Sequence, residues 1–216
     1  MTKADYSQLK KFFSQFPTQK ISKNSIVFKP GDKIENIYFM KSGYVRAYTK
    51  IPFGENTLNV FKPLFLFSVI HFFTNSRNNL YLQAITSAET YIIPKQEFKS
   101  FLDKNPEMSA IIMDFFFSSL LLYITNQGGI INGSAINKVA SVLVQMVRDY
   151  GDVRNGQLIV NFPATHRMIA SLVGLTRETT SVQMSRLQKL GIISTKRTQF
   201  TVHNQEKLKK LASFAE

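Results

Sequence analysis

The chain has 216 residues, of which 44% are hydrophobic and 19% charged, so its length suits one or two folded domains and its composition excludes a disordered protein. Lys and Arg number 27 against 14 Asp and Glu. The net charge of +13 attracts polyanions, either nucleic acid or an anionic membrane surface, unless it serves solubility alone. Cysteine is absent, which excludes disulfides, thiolate zinc sites, iron–sulfur clusters and cysteine nucleophiles.

The opening stretch MTKADYSQLKKFFSQF has no long apolar core and does not resemble a secretory signal, so we expect a cytoplasmic protein. It predicts a short amphipathic helix instead. The apolar side of this helix consists of Leu9, Phe12, Phe13 and Phe16.

Short β-prone runs come next, separated by turn signals such as Lys29-Pro30-Gly31-Asp32 and Ser42-Gly43. This pattern is typical of strands and hairpins. After Ile26–Lys50, the strand-like runs are Thr57–Phe61, Leu64–Phe73, Tyr81–Ile85 and Thr90–Ile93. The first half of the chain is therefore predicted to be an all-β unit, either a barrel or a jelly roll.

A change of character at Pro94 marks the end of the predicted strands. Lys95–Leu102 is typical of a short helix, and Asn105 followed by Pro106 is typical of a helix start, with Asn105 as the N-cap. The next helix has no β punctuation and is predicted to stop at Gly128-Gly129. It is apolar almost all round, which is unusual for a surface helix.

Three interpretations compete for this long helix: a buried core helix, a dimer-forming helix and a membrane span. Asp114 and several serines interrupt the apolar stretch, which also falls short of the ~20 residues that a bilayer needs, so the membrane span is disfavoured. We favour the dimer-forming helix, because a coiled-coil seam with spacings of four and three is available. That seam consists of Ile111, Phe115, Ser118, Leu122 and Thr125.

A break at residues 131–134 predicts a hinge, after which Ser134 can cap a helix over Ala135–Tyr150. Gly151–Gly156 is predicted as a turn-rich loop and Gln157–Phe162 as a short strand. The inner face of the helix is predicted to consist of Val139, Val142, Leu143 and Met146.

Two further helices, Thr165–Val173 and Thr176–Leu190, predict a helix–turn–helix. Thr165 and Thr176 stand at the N-cap positions, and Gly174 occupies the turn, where a positive φ costs glycine nothing. The apolar positions of the second helix are Val182, Leu187 and Leu190.

In a helix–turn–helix the second helix enters the DNA major groove by its N-terminal turns. The residues predicted to meet base edges are Arg177, Glu178, Ser181 and Val182. Arg can donate two hydrogen bonds to guanine, Glu can accept one from the cytosine amino group, and a valine methyl can pack on a thymine methyl. The residues predicted to meet phosphates are Thr165, His166, Arg167 and Thr176, near the two helix starts.

The segment after Gly191 predicts a wing, because Ile192–Ser194 and Phe200–Val202 can pair as strands around Lys196 and Arg197. These two cations are expected to meet the DNA backbone. Between residues 165 and 210 nine Lys and Arg stand against two acids, so positive charge is concentrated at the predicted contact surface. On the pattern alone, the alternative of a winged helix used for protein contacts stays open.

The order of these parts resembles the CRP/FNR family of bacterial transcription regulators, and VGLTRETTS at Val173–Ser181 is the most specific piece. The resemblance implies an α+β fold. A β-roll of the cyclic-nucleotide-binding type would span residues 1–105, a dimerisation helix and hinge 106–133, and a winged helix-turn-helix domain 134–216. It also implies a homodimer that binds an inverted repeat in double-stranded DNA and works with RNA polymerase. The helix Pro106–Gln127 would join the protomers and transmit the state of the β-roll to the hinge.

Two departures from the family pattern change these expectations. Many members carry a second Arg five residues after the first, whereas Val182 stands there in this chain and favours a thymine-methyl contact. Cyclic-nucleotide binders carry a Gly-Glu-rich segment before an Arg-Ser or Arg-Thr pair that clasps ribose and phosphate. This chain has Arg77 but lacks the Gly-Glu element, so we expect no cAMP binding and leave open whether an unknown small-molecule effector exists. The aromatic-rich layout is similar to the PrfA-like branch, whose known ligand is glutathione.

No pattern indicates a metal, a cofactor or catalysis. The three histidines are spread apart, and His71, among apolar residues, favours packing over haem ligation. The nucleophile motif G-x-S-x-G is absent, so we expect no enzyme. The alternative to a DNA-binding regulator is a membrane- or protein-docking interaction module with a basic surface.

Overall fold

The computed structural model describes residues 3–52, 54–74, 76–154 and 156–212, except for the side chains of residues 3–5, 122 and 125–132. The chain divides into two compact units. The first, which we call the β-roll unit, comprises Met1–Lys50 and Thr57–Leu120. The second, the winged-helix unit, comprises Ile51–Asn56 and Leu121–Glu216. This division falls inside the long helix, and the domain boundaries after residues 105 and 133 stay predictions.

Antiparallel strands framed by helices build the β-roll unit. Its helices are α1 (Lys3–Phe13), α2 (Val69–Thr74), α3 (Lys95–Lys104) and the first part of α4 (Pro106–Asn132). Its strands are β1 (Thr18–Ile21), β2 (Ile26–Phe28), β3 (Asn36–Ser42), β4 (Val45–Ile51), β5 (Gly54–Phe61), β6 (Leu66–Phe67), β7 (Tyr81–Ala84) and β8 (Ala88–Pro94). They form two four-stranded sheets, in the orders β1-β8-β3-β6 and β2-β7-β4-β5. The α+β fold class is confirmed, and the first half is rich in β-strands as predicted, although α2 lies among them.

Strand β3 is buried on both faces, which is why its sequence forms a continuous apolar run. Side chains of a strand alternate between the two faces of its sheet. Tyr38 and Met40 join the core that both sheets share, whereas Ile37 and Phe39 join a second core with α1, α3 and α4. Helices α1, α3 and α4 thus pack on the outer face of the sheet that contains β3.

Helix α1 has the apolar side predicted for it. Leu9 and Phe13 are fully buried in the second core, and Phe12 and Phe16 pack partly against that core. The ring of Phe12 stacks on Phe101 of α3, with centroids 3.9 Å apart. The helix itself ends at Phe13, so Phe16 reaches the core from the turn that follows.

The strand predicted over Leu64–Phe73 is wrong. Only Leu66–Phe67 forms a strand, and Val69–Thr74 forms α2 instead. Leu64 and Ser68 flank the short strand with φ of 67° and 73°, left-handed conformations that interrupt an extended chain. The aromatic and β-branched residues fit a strand by propensity, but strand propensity depends strongly on context.

Helix α4 starts at Pro106, as predicted. The Asn105 carbonyl accepts a hydrogen bond from the Met108 backbone amide at 2.9 Å, and the Asn105 side-chain amide donates to the Phe101 carbonyl at 2.8 Å. The predicted end at Gly128-Gly129 is wrong, because the helix continues to Asn132. Glycine costs about 1 kcal/mol relative to alanine inside a helix, which a long helix can tolerate.

The first part of the predicted coiled-coil seam is used inside the β-roll unit. Ile111 packs against the second core, and the Phe115 ring contacts Phe65 edge-on at 5.2 Å between centroids. Leu122 and Thr125 lie outside the residues whose side chains the structure describes. The large apolar side chains that α4 leaves exposed include Phe116, Phe117, Leu120, Tyr123 and Ile124. Among the described residues, no helix has the length and apolar character needed to span a membrane.

Helices surround one four-stranded antiparallel sheet in the winged-helix unit. Its helices after α4 are α5 (Ala135–Tyr150), α6 (His166–Val173), α7 (Arg177–Lys189) and α8 (Gln205–Ala212). Its strands are β9 (Gly151–Arg154), β10 (Gln157–Val160), β11 (Ile193–Lys196) and β12 (Gln199–Val202), in the order β11-β12-β10-β9. Helix α8 is tied to α5 by side-chain bonds from Asn137 to the Leu211 carbonyl at 2.8 Å and from Ser141 to the Ala212 carbonyl at 3.1 Å.

Helix α5 has the buried face predicted for it. It begins after Ser134, as expected, but the Ser134 hydroxyl bonds the side chain of Asn137 rather than a backbone amide. The break before it is confined to Gly133 and Ser134, because residues 131 and 132 still belong to α4. The buried side chains of this face are those of Val139, Val142, Leu143 and Met146.

The loop predicted over Gly151–Gly156 is wrong, because Gly151–Arg154 forms strand β9 at the edge of the sheet. It pairs with β10 in the register Arg154 to Gln157 and Gly151 to Val160. All of β9 is exposed, so its sequence lacks the apolar alternation that indicates a half-buried strand.

Candidate nucleic-acid interface

Local hydrogen bonds at both ends define helix α6. The Thr165 hydroxyl oxygen accepts from the Met168 backbone amide at 3.1 Å, which confirms Thr165 as the N-cap. The helix ends at Gly174 with φ 65° and ψ 34°, a left-handed conformation that favours glycine. The Leu175 amide then bonds the Ala170 carbonyl at 3.1 Å and closes the turn.

Helix α7 begins in the same way after Thr176. The Thr176 hydroxyl oxygen accepts from the Thr179 backbone amide at 3.1 Å and its proton goes to the Thr179 hydroxyl at 2.9 Å. Both hydrogen-bonding functions of Thr176 are therefore used at the helix start. A phosphate contact by Thr176 stays a prediction.

The buried face of α7 determines which of its side chains are exposed to solvent. Thr180, Met184 and Leu187 are buried at spacings of four and three. Of the three apolar positions named from the sequence, Leu187 is buried, whereas Val182 is 62% exposed and Leu190 54% exposed. Leu190 is the C-cap with ψ 0°, and Ile192 and Ile193 fill the core just after it.

The wing is formed by β11 and β12, as predicted. The strands pair in the register Ile193 to Val202 and Lys196 to Gln199, which leaves a tight turn at its tip. Arg197 stands in this turn with φ 56°, a left-handed conformation uncommon for a residue with a Cβ. The tip thus carries one cation at the end of a strand and one in the turn itself.

A concave surface of about 270 Å³, which we call the wing concavity, lies among the starts of α6 and α7 and the wing. It is lined by Ala164, Thr165, His166, Arg167, Arg177, Thr195, Arg197, Gln199 and Phe200. Three guanidinium groups from three separate elements thus share one surface. Within the described residues, Arg167, Arg177 and Arg197 have no ion pair or side-chain hydrogen bond. Such a surface can bind a phosphate group bidentately.

A second depression of about 390 Å³, which we call the helix groove, lies along the exposed face of α7. It is lined by Ser181, Val182, Ser185, Arg186 and Lys189. Small side chains occupy its first part and cations its far end. The cations give this surface the positive charge that attracts a polyanion.

The structure brings the predicted site residues together in two groups. Thr165, His166, Arg167, Arg177 and Arg197 line the wing concavity, and Ser181 and Val182 line the helix groove. The residues that line neither surface are Thr176, Glu178 and Lys196, each of them exposed. Arg177, predicted to meet a base edge, therefore lies with the residues predicted to meet phosphates.

The wing residues Thr195 and Gln199 and the groove residues Ser185, Arg186 and Lys189 were not predicted. A signal for the groove residues existed, because positions 181, 185 and 189, and likewise 182 and 186, repeat at the four-residue spacing of one helix face. No comparable signal existed for the wing residues, whose approach to α6 depends on how the sheet packs.

Arg77 and Asn78, in the segment where the family pattern has its nucleotide clasp, bond backbone carbonyls of the β-roll unit. The Arg77 guanidinium donates to the Gly31 carbonyl at 3.2 Å, and the Asn78 side chain donates to the Lys29 and Leu80 carbonyls. Phe67 is buried in the core that both sheets share.

His71 lies in α2 and is half-buried. Its Nδ1 is 3.1 Å from the Ser76 hydroxyl, and burial lowers its pKa below the usual value. In the part of the chain that the structure describes, no three His, Asp or Glu side chains gather as metal ligands.

Two family models match the chain. Residues 137–211 match the Crp-like helix-turn-helix domain, and residues 18–105 match the cyclic nucleotide-binding domain. The first contains α6, α7 and the wing, and the second contains both sheets of the β-roll unit.

Curated proteins similar to the chain include two regulators. One is the global nitrogen regulator of Nostoc sp., 24% identical over 188 residues that cover 86% of this chain and 84% of that protein. The other is the CRP-like cAMP-activated global transcriptional regulator of Mycobacterium tuberculosis, 25% identical over 187 residues with coverage of 86% and 84%.

Solved structures with a similar fold include FixK2 from Bradyrhizobium japonicum, with a TM-score of 0.80, 19% identity and coverage of 93% of this chain and 99% of that one. A CooA mutant from Carboxydothermus hydrogenoformans gives a TM-score of 0.77, 23% identity and coverage of 93% and 89%. The order of a β-roll, a long helix and a winged helix is thus shared with these structures.

Proposed function

Because the chain belongs to the CRP/FNR family of transcription regulators, we propose that it reads an inverted-repeat operator as a homodimer. The helix–turn–helix and the wing provide the contacts with DNA, as in other regulators with this motif. The observation that carries the proposal is the wing concavity, where three guanidinium groups without partners among the described residues face a single surface. Groups held in this way are available to an external polyanion.

We assign base reading to the outward face of α7 and positioning to the elements around it. The base-reading residues are Arg177, Glu178, Ser181 and Val182. The residues assigned to phosphates are Thr165, His166, Arg167, Thr176, Lys196 and Arg197. Arg177 lines the wing concavity together with Arg167 and Arg197, so the residue assigned to a base edge lies beside residues assigned to phosphates.

We assign the exposed apolar part of α4 to contact with a second copy of the chain. Phe117 is 56% exposed and Ile124 59% exposed, at a spacing of seven residues that keeps them on one helix face. An exposed apolar stripe of this kind marks an interaction surface. A homodimer that reads an inverted repeat needs its two α7 helices about 34 Å apart, one turn of duplex DNA.

The remaining partners follow from the family. CRP/FNR regulators act with RNA polymerase, so we propose the same for this chain and a cytoplasmic location. We expect any small-molecule effector to differ from cAMP, because the Gly-Glu element of a nucleotide clasp is absent from the segment before Arg77.

Sedimentation tests the dimer and its surface together. We expect the wild-type protein to be dimeric at micromolar concentration and Phe117→Glu to be monomeric, because a buried unpaired carboxylate opposes association. Ile70→Glu is the matched control, since Ile70 is an exposed apolar residue of α2 outside this surface, at 48% exposure. A wild-type protein that sediments as a monomer would contradict the proposal.

A further inference from the structure

The helix groove has a built-in asymmetry. Ser181, Val182 and Ser185 line its first part with small side chains, whereas Arg186 and Lys189 line its far end. The residues that fix this orientation are the buried Met184 and Leu187 on the opposite side of α7. The part of the groove lined by small side chains is therefore followed along α7 by two cationic residues.

Helix geometry places the Arg186 side chain over that floor. Arg186 follows Val182 by four residues, so their Cα atoms lie on the same face about 6 Å apart along the axis. Side chains of a helix lean toward its N-terminus and cover the turn before their own Cα. The long Arg186 side chain can therefore reach back along the groove toward Val182, which lines the same surface.

The Arg186 guanidinium is available to a ligand. Within the described part of the chain it has no ion pair and no side-chain hydrogen bond. Val182 is 62% exposed but can offer a base only methyl groups. A guanidinium beside it adds a donor pair whose fork matches guanine O6 and N7.

We propose that Arg186 is a further specificity-determining residue, whose guanidinium reads a guanine at the base pair next to the one that Val182 contacts. The proposal rests on the proposed function, because it needs α7 to lie in the major groove. A phosphate contact by Arg186 is the competing role, and the two differ in what they require of the side chain. Base reading requires the planar fork, whereas a phosphate accepts any cation.

Selection from a random duplex pool separates these roles, with wild type, Arg186→Ala, Arg186→Lys and the control Lys207→Ala compared. Lys207 is an exposed cation of α8 outside both surfaces. We expect Arg186→Ala to keep the rest of the selected repeat, to lose the preference at one base pair in each half-site, and to bind the wild-type site at least about tenfold less tightly. Arg186→Lys should retain the salt dependence of wild type without recovering that preference, and Lys207→Ala should select the wild-type repeat.

Three results would overturn the inference. If Arg186→Ala keeps every base preference and Arg186→Lys restores full affinity, Arg186 is a phosphate contact only. If Arg186→Ala binds and selects as wild type does, Arg186 makes no contact. If the wild-type protein selects no repeat, the proposed function fails first and takes this inference with it. A thermal melt of each variant verifies that the exposed substitutions leave the fold intact.

Discussion

In the β-roll unit the arginine side chains are hydrogen-bonded within the fold. In the winged-helix unit, by contrast, four arginine side chains have no ion pair or hydrogen bond among the described residues. Arg46 donates to the Gln83 side chain at 2.6 Å, and Arg77 donates to the Gly31 carbonyl at 3.2 Å. The open ones are Arg167, Arg177, Arg186 and Arg197, which have no such partner among the described residues. The proposed DNA contacts rest on these four, whereas Arg148 and Arg154 of the same unit pair with Asp149 and Asp152.

Contacts between aromatic rings are concentrated in the β-roll unit. A series of ring contacts runs through the β-roll unit from Phe28 to Tyr38, Phe67, Phe61 and Phe65, with neighbouring centroids 4.9–5.5 Å apart. Phe65 in turn contacts Phe115 of α4 at 5.2 Å. The series of ring contacts therefore extends from the sheets of the β-roll unit to helix α4.

The largest expected effect is on the stability of the β-roll unit. Phe67→Ala removes a buried ring and leaves a cavity, so we expect the free energy of unfolding to fall by about 3–5 kcal/mol. Chemical denaturation measures this loss. Phe73→Ala, at a ring that is 47% exposed, is the control and should cost about 1 kcal/mol or less. Equal losses for the two variants would mean that the ring series does not hold the unit together.

A smaller effect is expected from Arg177→Ala in the winged-helix unit. It should cost roughly 1–3 kcal/mol of binding on the cognate site and relax the preference at one base pair, with no change in the thermal midpoint. Titration of cognate and single-mismatch duplexes measures both quantities. Because Arg177 also lines the wing concavity, a uniform loss on every sequence would reassign it to the backbone.

Lys196→Ala is expected to act more weakly and without regard to sequence. Removing one phosphate contact should lower the salt slope of binding by about 1 and weaken all sequences alike. Lys33→Ala is the control from the other unit, where Lys33 pairs with Glu35 at 3.0 Å on the surface, and it should leave DNA binding unchanged. If Lys196→Ala and Arg177→Ala behave alike, the division into reading and positioning residues fails.

The smallest effect is the pH dependence that His71 gives to the β-roll unit. Burial lowers the pKa of folded His71, so the unfolded chain takes up the proton first as the solution is acidified. The contribution to stability is complete above about pH 6.5 and is lost as the pH falls toward the folded pKa. Denaturation midpoints between about pH 7.5 and about pH 5.5 measure it, and His71→Gln should flatten the profile. An unchanged profile in that variant would assign the dependence to other groups.

The parts of the fold that depend on short-range chemistry could be predicted from the sequence. Thr165 and Thr176 cap their helices and Gly174 adopts the left-handed turn, because each signal acts within a few residues. The segments Leu64–Phe73 and Gly151–Gly156 could not be predicted in this way. The first contains two left-handed residues that interrupt the strand, and the second forms a fully exposed edge strand, so its sequence needs no apolar alternation.

The candidate site shows the same limit. Residue types and helix spacing indicated Arg177, Ser181 and Val182, which lie on exposed surfaces of α7. Sequence spacing could not show that Arg177 would share a concavity with Arg197, because that depends on how the wing folds back beside α6. Long-range approach of separate elements is decided by packing and not by the local pattern.

Selection of bound sequences from a random duplex library, with wild-type protein and no added effector, tests the central claim most directly. The account predicts an enriched inverted repeat with half-sites about one helical turn apart, because two α7 helices would read equivalent grooves. Weak, salt-sensitive binding without any enriched sequence would contradict it for the protein alone, and would mean that the open cations of the winged-helix unit serve a polyanion without reading its sequence.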